Sequence, residues 1–444
     1  VFNVLLVKSF SFKGNKGEGA PLSFLYLSTA LKKVGHNVKI LDLSLKGKND
    51  FEFLKDTVDS FNPQVIGFTC NTHERLAVID LVNFVKKNNP DKLIVVGGPH
   101  VALLGKEMMI SCPNIDIGVC ADGEKAIVKI TNDYNNYDKL KNIEGIYFRE
   151  NNQIIKNETK EIIKDLDLYG HPDLDIIDLR EYSLNLPIKE KPPAISICTS
   201  RGCPFRCSFC AATRVNYGQI RYHSASWIFD EVKKILSKYG DKYVIFFYDD
   251  HFLLNKDRVF QFCDLVEKNK LKFKWGCYSR VDIIDDEILA RIKKVGCIML
   301  TFGIESGSDK ILNLMNKRTN HKMIIRAIRK VKDWGIYARG SFIWGYPGEN
   351  WFDIIKTFWM IFKCDFDIGE VVFGRYVVIY PGTELVKYLP KRFDWHKKED
   401  IKSKKQMVFV PVYVPMFDWL RRKYTFSLFF IYKIIKKLKG FWKP

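Results

Sequence analysis

Apolar residues in the first 140 positions fall in short unbroken runs, set between stretches of helical period. Runs 4–8, 38–43, 65–69, 93–96 and 115–118 are continuous enough for buried parallel strands. Segments 22–34, 51–60 and 75–87 carry apolar residues every three to four positions, the pattern of helices packed on one face. Strand alternating with helix predicts a doubly wound open sheet, in which ligands sit beyond the carboxyl ends of the strands. Those ends are the polar and glycine-rich places: Thr69, Cys70, Asn71 and Thr72; Gly97, Gly98, Pro99 and His100; Ala121, Asp122, Gly123 and Glu124. Gly97 and Gly98 let a large flat ligand approach the backbone, and their spacing equally suits ordinary strand-to-helix turns.

Residues 141–190 have weak periodicity, several prolines and alternating charge, as expected of a connector carrying a small hairpin. A second alternation follows. Run 194–199 leads into a cysteine-rich segment, and runs 243–248, 273–279, 299–303, 338–344 and 371–379 come after it, separated by helical segments. Six βα units suit a partial (β/α)6 barrel with its chemistry at the strand carboxyl ends. The expected division is 1–140, 141–190, 191–390 and a tail at 391–444.

Composition changes this picture little. At 444 residues the chain exceeds one small core, and 47% hydrophobic with 27% charged residues excludes wholesale disorder. Eleven cysteines are an odd, scattered number, and no secretory n-region and h-region opens the sequence. A disulfide framework is therefore not expected, and a reducing, anaerobic cytoplasm is. No run reaches about 20 apolar residues, so no spanning helix is expected. The net charge of +20 is concentrated: residues 391–444 hold 15 Lys/Arg against 4 Asp/Glu, which leaves +9 for the rest. The basic excess belongs mainly to the tail and does not mark the whole chain as nucleic-acid binding.

The densest candidate chemistry is the run Ser200-Arg201-Gly202-Cys203-Pro204-Phe205-Arg206-Cys207-Ser208-Phe209-Cys210. Three thiolates in one loop can hold three irons of a 4Fe–4S cube, and no fourth cysteine follows in the loop to close the last iron. Structural zinc and small core residues are the alternatives. Zinc sites bring a second Cys or His pair, whereas His223, the nearest histidine downstream, has no partner at ligand spacing.

The C-x3-C-x2-C spacing, with Phe209 before the last cysteine, resembles the signature of the radical S-adenosylmethionine (SAM) enzymes. The resemblance implies a cluster on Cys203, Cys207 and Cys210, and SAM bound to the open iron through its amino and carboxylate groups. One electron, from a donor such as flavodoxin or ferredoxin, then releases a 5′-deoxyadenosyl radical. Ile66-Gly67-Phe68-Thr69, Val95-Val96-Gly97-Gly98-Pro99-His100 and Asp122-Gly123-Glu124 are similar to the cobalamin-binding domain that precedes many such barrels. That likeness implies cobalamin contacts from Thr69, Asn71, Thr72, Gly97, Gly98, Pro99, His100, Asp122, Gly123 and Glu124. One departure stands out. Domains that ligate cobalt from below carry Asp-x-His-x-x-Gly after the first strand, and residues 9–17 here contain no histidine. The lower face is then not held by a histidine from that loop, and His73 and His100 are the nearest others.

Further matches follow at the barrel strand ends. Asp249 and Asp250 resemble the acidic turn that accepts from the SAM ammonium, and a helix cap is the plain alternative. Arg280 could pair with the SAM carboxylate and Glu305 with the ribose hydroxyls or amino group, since buried charge is costly unless paired. Ser279-Arg280-Val281-Asp282 and Gly303-Ile304-Glu305-Ser306-Gly307-Ser308-Asp309 are similar to cobalamin-dependent radical SAM enzymes of the magnesium-protoporphyrin ester cyclase type. Ile343 and Gly345 match the strand and turn that cradle adenine, and Tyr380-Pro381-Gly382-Thr383 also recurs in the family. The resemblance spans residues 1–385. Cys70, Cys277 and Cys364 are either hydrogen donors or sulfur ligands, or small core residues.

The implied enzyme is a cobalamin-dependent radical SAM C-methyltransferase. Hydrogen abstraction from an unactivated carbon is followed by methyl transfer from methylcobalamin, which a second SAM restores. A radical cyclase with the same cofactors, an RNA-modifying enzyme and a non-catalytic sensor are the rivals; no RNA-binding module is recognisable. On a helix, Ile431, Ile434, Ile435, Leu438 and Trp442 of the tail share a face, with Lys433, Lys436, Lys437 and Lys439 mainly on the others. That pattern suits a peripheral membrane contact giving access to a lipid-like substrate, or a helix packed on the barrel with its lysines in water.

Overall fold

Two seven-stranded sheets organise the computed structural model, which describes residues 1–9, 19–45, 50–133, 137–159, 162–182, 184–188, 192–366, 371–373, 377–389, 391 and 393–397. The first sheet runs β2-β1-β3-β4-β5-β6-β7. Its strands are β1 (Asn3–Lys8), β2 (Asn37–Asp42), β3 (Val65–Thr69), β4 (Leu93–Gly97), β5 (Ile117–Val119), β6 (Ile146–Glu150) and β7 (Gln153–Asn157). The first five are parallel. Strands β6 and β7 form an antiparallel hairpin added at the β5 edge, so the sheet continues past residue 140. Both faces of β1, β3 and β4 are covered, which is why their sequences are apolar without alternation. Helices α1 (Leu22–Lys33), α2 (Asp50–Phe61), α3 (Arg75–Asn88), α4 (Pro99–Ser111) and α5 (Gly123–Asn132) supply the cover.

Registry aligns Lys8 with Thr69 and Thr69 with Gly97, so the polar strand ends lie side by side at one edge of the sheet. Gly98 then turns the chain into α4 with φ +102°; a Cβ there would lie 2.9 Å from the backbone N and O of Cys70. Only glycine fits that approach.

The second sheet runs β16-β15-β14-β13-β12-β9-β8. Its members are β8 (Leu184–Asn185), β9 (Pro193–Ile197), β12 (Val244–Phe247), β13 (Trp275–Ser279), β14 (Cys297–Glu305), β15 (Tyr337–Phe342) and β16 (Val371–Phe373). Six are parallel and β8 is antiparallel to β9, so the expected six-unit partial barrel is present. A two-residue ladder, β10 (Ser200–Arg201) with β11 (Arg221–Tyr222), brackets the cysteine loop. Strand β14 is longer than its sequence pattern predicts. A register shift between Gly303 and Glu305 keeps it paired to β15, with Glu305 at φ +70°.

No described helix is long and apolar enough to cross a membrane. The residues on which the amphipathic reading of the tail rests lie outside the described residues, as does most of the loop after β1.

Candidate active site

The cysteine loop leaves β9 and is pinned from several sides. Asp249, fully buried after β12, accepts from Thr199 N and Thr199 Oγ1 at 3.0 Å and from the Ser200 hydroxyl. Thr213 Oγ1 donates to Phe205 O (2.6 Å) and Cys203 O (3.3 Å), closing the loop on itself. Ser208 N donates to Met315 O at 3.0 Å, and the Ser208 and Tyr346 hydroxyls meet at 2.6 Å. Gly202, at φ +94°, lies where a Cβ would come within 2.2 Å of Gln219 O.

Cys203 is buried, and Cys207 and Cys210 are half-buried. Burial pushes the Cys203 thiol up to about 11 and raises Cys210, with the neighbouring cysteines and Asp250 adding to the effect. The thiols are thus close enough to feel one another. Yet among the described residues no three His, Cys, Asp or Glu side chains converge as one metal ion would require. Three thiols on one loop that side-chain and backbone hydrogen bonds hold in place fit the donor set of an iron–sulfur cluster.

A cavity of about 570 Å³ opens beside this loop. Phe209, Cys210, Asp250 and Ile343 line it from the barrel, and Asn71, Thr72 and Pro99 from the first sheet. Burial, then the adjacent Asp249 charge, raises the Asp250 carboxyl. Ile343 N donates to Glu305 O at 3.0 Å, while Glu305 Oε1 accepts from Lys317 Nζ at 3.1 Å. Lys317 also stands over the Phe209 ring. Gly345 turns at φ +71° and donates to Glu349 Oε2, away from the cavity lining.

A second cavity, of about 380 Å³, lies at the strand ends of the first sheet. Thr69, Gly97, Gly98, Pro99, Asp122, Gly123 and Glu124 line it together with Leu6, Leu27, Val95 and Ile127. Across it stand Cys198, Arg201, Val215, Asn216, Tyr217, Arg221 and Tyr248 of the barrel side. Bare glycine backbone and apolar walls suit a broad flat ligand such as a corrin. No histidine among the described residues lines it. Pro99, Val215 and Asn216 border both cavities, so the two adjoin.

The structure places five of these residues otherwise than expected. His100 does not face either cavity; it is fully buried, with Nδ1 3.2 Å from Thr72 Oγ1 and Nε2 3.1 Å from His396 Nε2. Asn71 and Thr72 line the cavity beside the cysteines and not the corrin-sized one. Asp249 holds the loop base and is spent on three protein donors. Arg280, expected to pair with the SAM carboxylate, forks onto both oxygens of Asp282 at 2.9 Å, donates to Lys317 O, and stacks 3.8 Å from the Phe205 ring centre.

Sequence reasoning also missed the ionic seam between the two sheets. Arg201 donates to Glu124 at 2.5 and 3.2 Å and to Asp122 at 3.0 Å, and Arg221 bonds Asp122 as well. Arg201 further lies between the Tyr26 and Tyr169 rings. Burial alone would lower its pKa, and the Glu124 and Asp122 carboxylates more than offset that. An arginine before Gly-Cys carries no periodic signal, so nothing in the sequence pattern singled it out.

Comparison with known proteins matches two family models to separate parts of the chain. Residues 197–360 match the Radical SAM superfamily and residues 15–131 the B12 binding domain. An uncharacterized methyltransferase of Pyrococcus horikoshii is 30% identical over 370 residues, covering 83% of this chain and 78% of that protein. The anaerobic magnesium-protoporphyrin IX monomethyl ester cyclase of Cereibacter sphaeroides is 25% identical over 362 residues, covering 80% of this chain and 58% of the cyclase. Among solved structures, the cobalamin-dependent S-adenosylmethionine radical enzyme OxsB, with aqua-cobalamin and SAM bound, superposes at TM-score 0.69 and 21% identity. That match covers 81% of this chain but 52% of OxsB, so the chain spans about half the length of that protein.

Proposed function

The chain belongs to the cobalamin-binding radical SAM family, and from that premise we propose that it methylates an unactivated carbon of a small molecule. The observation that carries this reading is the shared wall at Pro99, Val215 and Asn216, which sets the cysteine-side cavity directly against the corrin-sized one. Methyl transfer to a substrate radical needs both cofactors to reach one carbon, and adjoining cavities satisfy that need.

Loaded into these cavities, the cluster, SAM and cobalamin supply reductive SAM cleavage and a transferable methyl group. The protein's own residues position and exclude. Cys203, Cys207 and Cys210 would hold the cluster, on a loop that Asp249, Thr213 and Tyr346 keep in place. Asp250, raised by burial, faces the cavity as an acceptor for a cationic amine. Ile343 and Phe209 give apolar walls that shed water from a reactive centre. Glu305 and Lys317 neutralise each other beside Phe209, leaving that wall without net charge. An electron donor of the flavodoxin or ferredoxin class is required by the reductive step.

Anaerobic reconstitution with iron, sulfide and cobalamin tests the reading, followed by SAM, a reductant and mass spectrometry of extracted small molecules. Formation of 5′-deoxyadenosine, which carries off the abstracted hydrogen, with a product heavier by one CH2 unit is expected, and Cys207→Ala should abolish both. A product of rearranged mass with no added carbon would replace methyl transfer by radical cyclisation; no 5′-deoxyadenosine at all would end the radical reading.

A further inference from the structure

Strands β12 to β15 alternate between two environments. Phe247, Trp275, Cys277, Leu300, Phe302 and Ala338 pack into the helix-covered core. Phe246, Met299, Tyr278 and Tyr337 gather in a separate cluster on the inner face of the sheet. The period of two places Tyr248, Tyr278, Thr301 and Arg339 on that inner face as well. Registry sets them in a row, with Tyr278 opposite Thr301 and Thr301 opposite Arg339. Tyr248 meets Tyr278 edge-on at 5.4 Å. The row lies one pleat below Asp250 and Arg280, two residues back along the same strands, and Tyr248 also lines the corrin-sized cavity.

Two atoms of this row are orphaned. Thr301 Oγ1 and Arg339 Nε are buried and find no hydrogen-bond partner. Among the described residues Arg339 forms no ion pair, although it is near enough for its charge to act on the Tyr278 hydroxyl. Arg339 is half-buried, so its terminal nitrogens remain open to an incoming acceptor, while the buried, unpaired Nε is costly unless a ligand brings one. Arginine presents a planar fork that matches carboxylate or phosphate, and the aromatic rings beside it offer a face for an apolar body.

We infer that this inner row is the substrate-recognition site, and that it takes a small molecule bearing a carboxylate or phosphate next to an apolar or aromatic body. The assignment rests on the reaction proposed above, because it places the substrate under the cofactor layer. Arg339 anchors the anionic group, Thr301 adds a hydrogen bond, and Tyr248 and Tyr278 flank the body on the side facing the corrin-sized cavity.

The test uses the full chain loaded with cluster and cobalamin, titrated calorimetrically with phenylacetate, phenyl phosphate and the neutral phenylacetamide. At least one anion should bind about tenfold or more tighter than the amide, as charge-assisted bonding implies. Arg339→Gln should bring that anion down to the level of the amide, Arg339→Lys should retain part of the preference, and Thr301→Val should weaken it several-fold. Which of the two anions prevails separates carboxylate from phosphate. Iron and cobalamin content per chain show whether each variant is loaded, and the lysine and valine variants keep the question open to measurement if the glutamine variant fails to fold. Equal binding of amide and anions, or anion affinity indifferent to Arg339, overturns the site. Arginine-dependent anion binding in a protein that forms no 5′-deoxyadenosine would leave the site standing and remove the reaction; the reverse result would do the opposite.

Discussion

Arg201 and Glu124 form a two-pronged ion pair, 77 residues apart in sequence, that joins the end of one sheet to the base of the cysteine loop. Glu124 opens α5 beyond β5, and Arg201 stands two residues before Cys203. The pair therefore couples the wall of the corrin-sized cavity to the loop that would carry the cluster. Removing one partner of a buried ion pair costs about 3–5 kcal/mol. The Arg201 side chain keeps 21% of its surface exposed, which reduces the expected loss to about 2 kcal/mol. Arg201→Met should lower stability in urea by that amount and also loosen cobalamin retention. The double exchange Arg201→Glu with Glu124→Arg should recover part of both, whereas a purely additive pair of losses would show that the contact couples nothing.

Asp249 and Asp250 are adjacent and have opposite duties. Asp249 fastens Thr199 and Ser200 and lies near Arg258, whereas Asp250 faces the cavity beside Cys210. Asp249→Asn leaves donors without a charged acceptor in the interior, at a cost of about 2–3 kcal/mol. It should reduce iron content per chain after reconstitution. Asp250→Asn should leave iron content intact and weaken SAM binding, read by equilibrium dialysis. If the two substitutions gave the same pattern, the separation of roles would be wrong.

The contrast between these two residues shows what the sequence made legible. Strand 65–69 was readable because both its faces are buried, and an unbroken apolar run leaves few alternatives. The partial barrel followed from six such runs, and the cysteine spacing carried its own chemistry. Which of two neighbouring aspartates meets a ligand depends on the pleat and on what β9 brings alongside, and no local pattern records that. His100 shows the same limit. It follows a glycine-rich turn at a cavity edge, yet its partner His396 comes 296 residues later and draws the ring into protein contact. Helix α4 escaped notice because Gly97, Gly98 and Pro99 read as a turn and its apolar residues spread around the helix.

That histidine contact predicts an acid-sensitive strap. His396 is pushed down to about 4 by burial and then by Arg75, and His100 is lowered by burial, His396 and Arg75. Both rings are neutral when folded, one nitrogen donating to the other. A folded-state pKa below the unfolded value near 6.5 means the unfolded chain binds more protons between those limits. Stability is then complete above about pH 6.5 and is lost as pH falls through about 4, by about 3 kcal/mol for His396. Hydrogen exchange at Asp394, Trp395, His396 and Lys397 should rise across that window. His396→Phe should flatten the response; an unchanged profile would mean that these rings do not govern it.

Gly202 offers the sharpest local test, because the structure supplies its own control. At Gly202 an added Cβ meets Gln219 O at 2.2 Å and Asn216 Cβ at 2.8 Å, and φ is +94°. At Gly218, with φ +73°, the same Cβ would find nothing within 4 Å. Both substitutions to alanine carry the strain of a positive φ, about 1–3 kcal/mol. Only the first also forces Arg201–Arg221 ladder pairing apart at the entrance to the cysteine loop. Gly202→Ala should therefore lose iron and sulfide per chain in addition to melting earlier, while Gly218→Ala should melt slightly earlier and keep its metal. Equal metal content in the two variants would show that the loop tolerates the clash and that its geometry is less constrained than its hydrogen bonds imply.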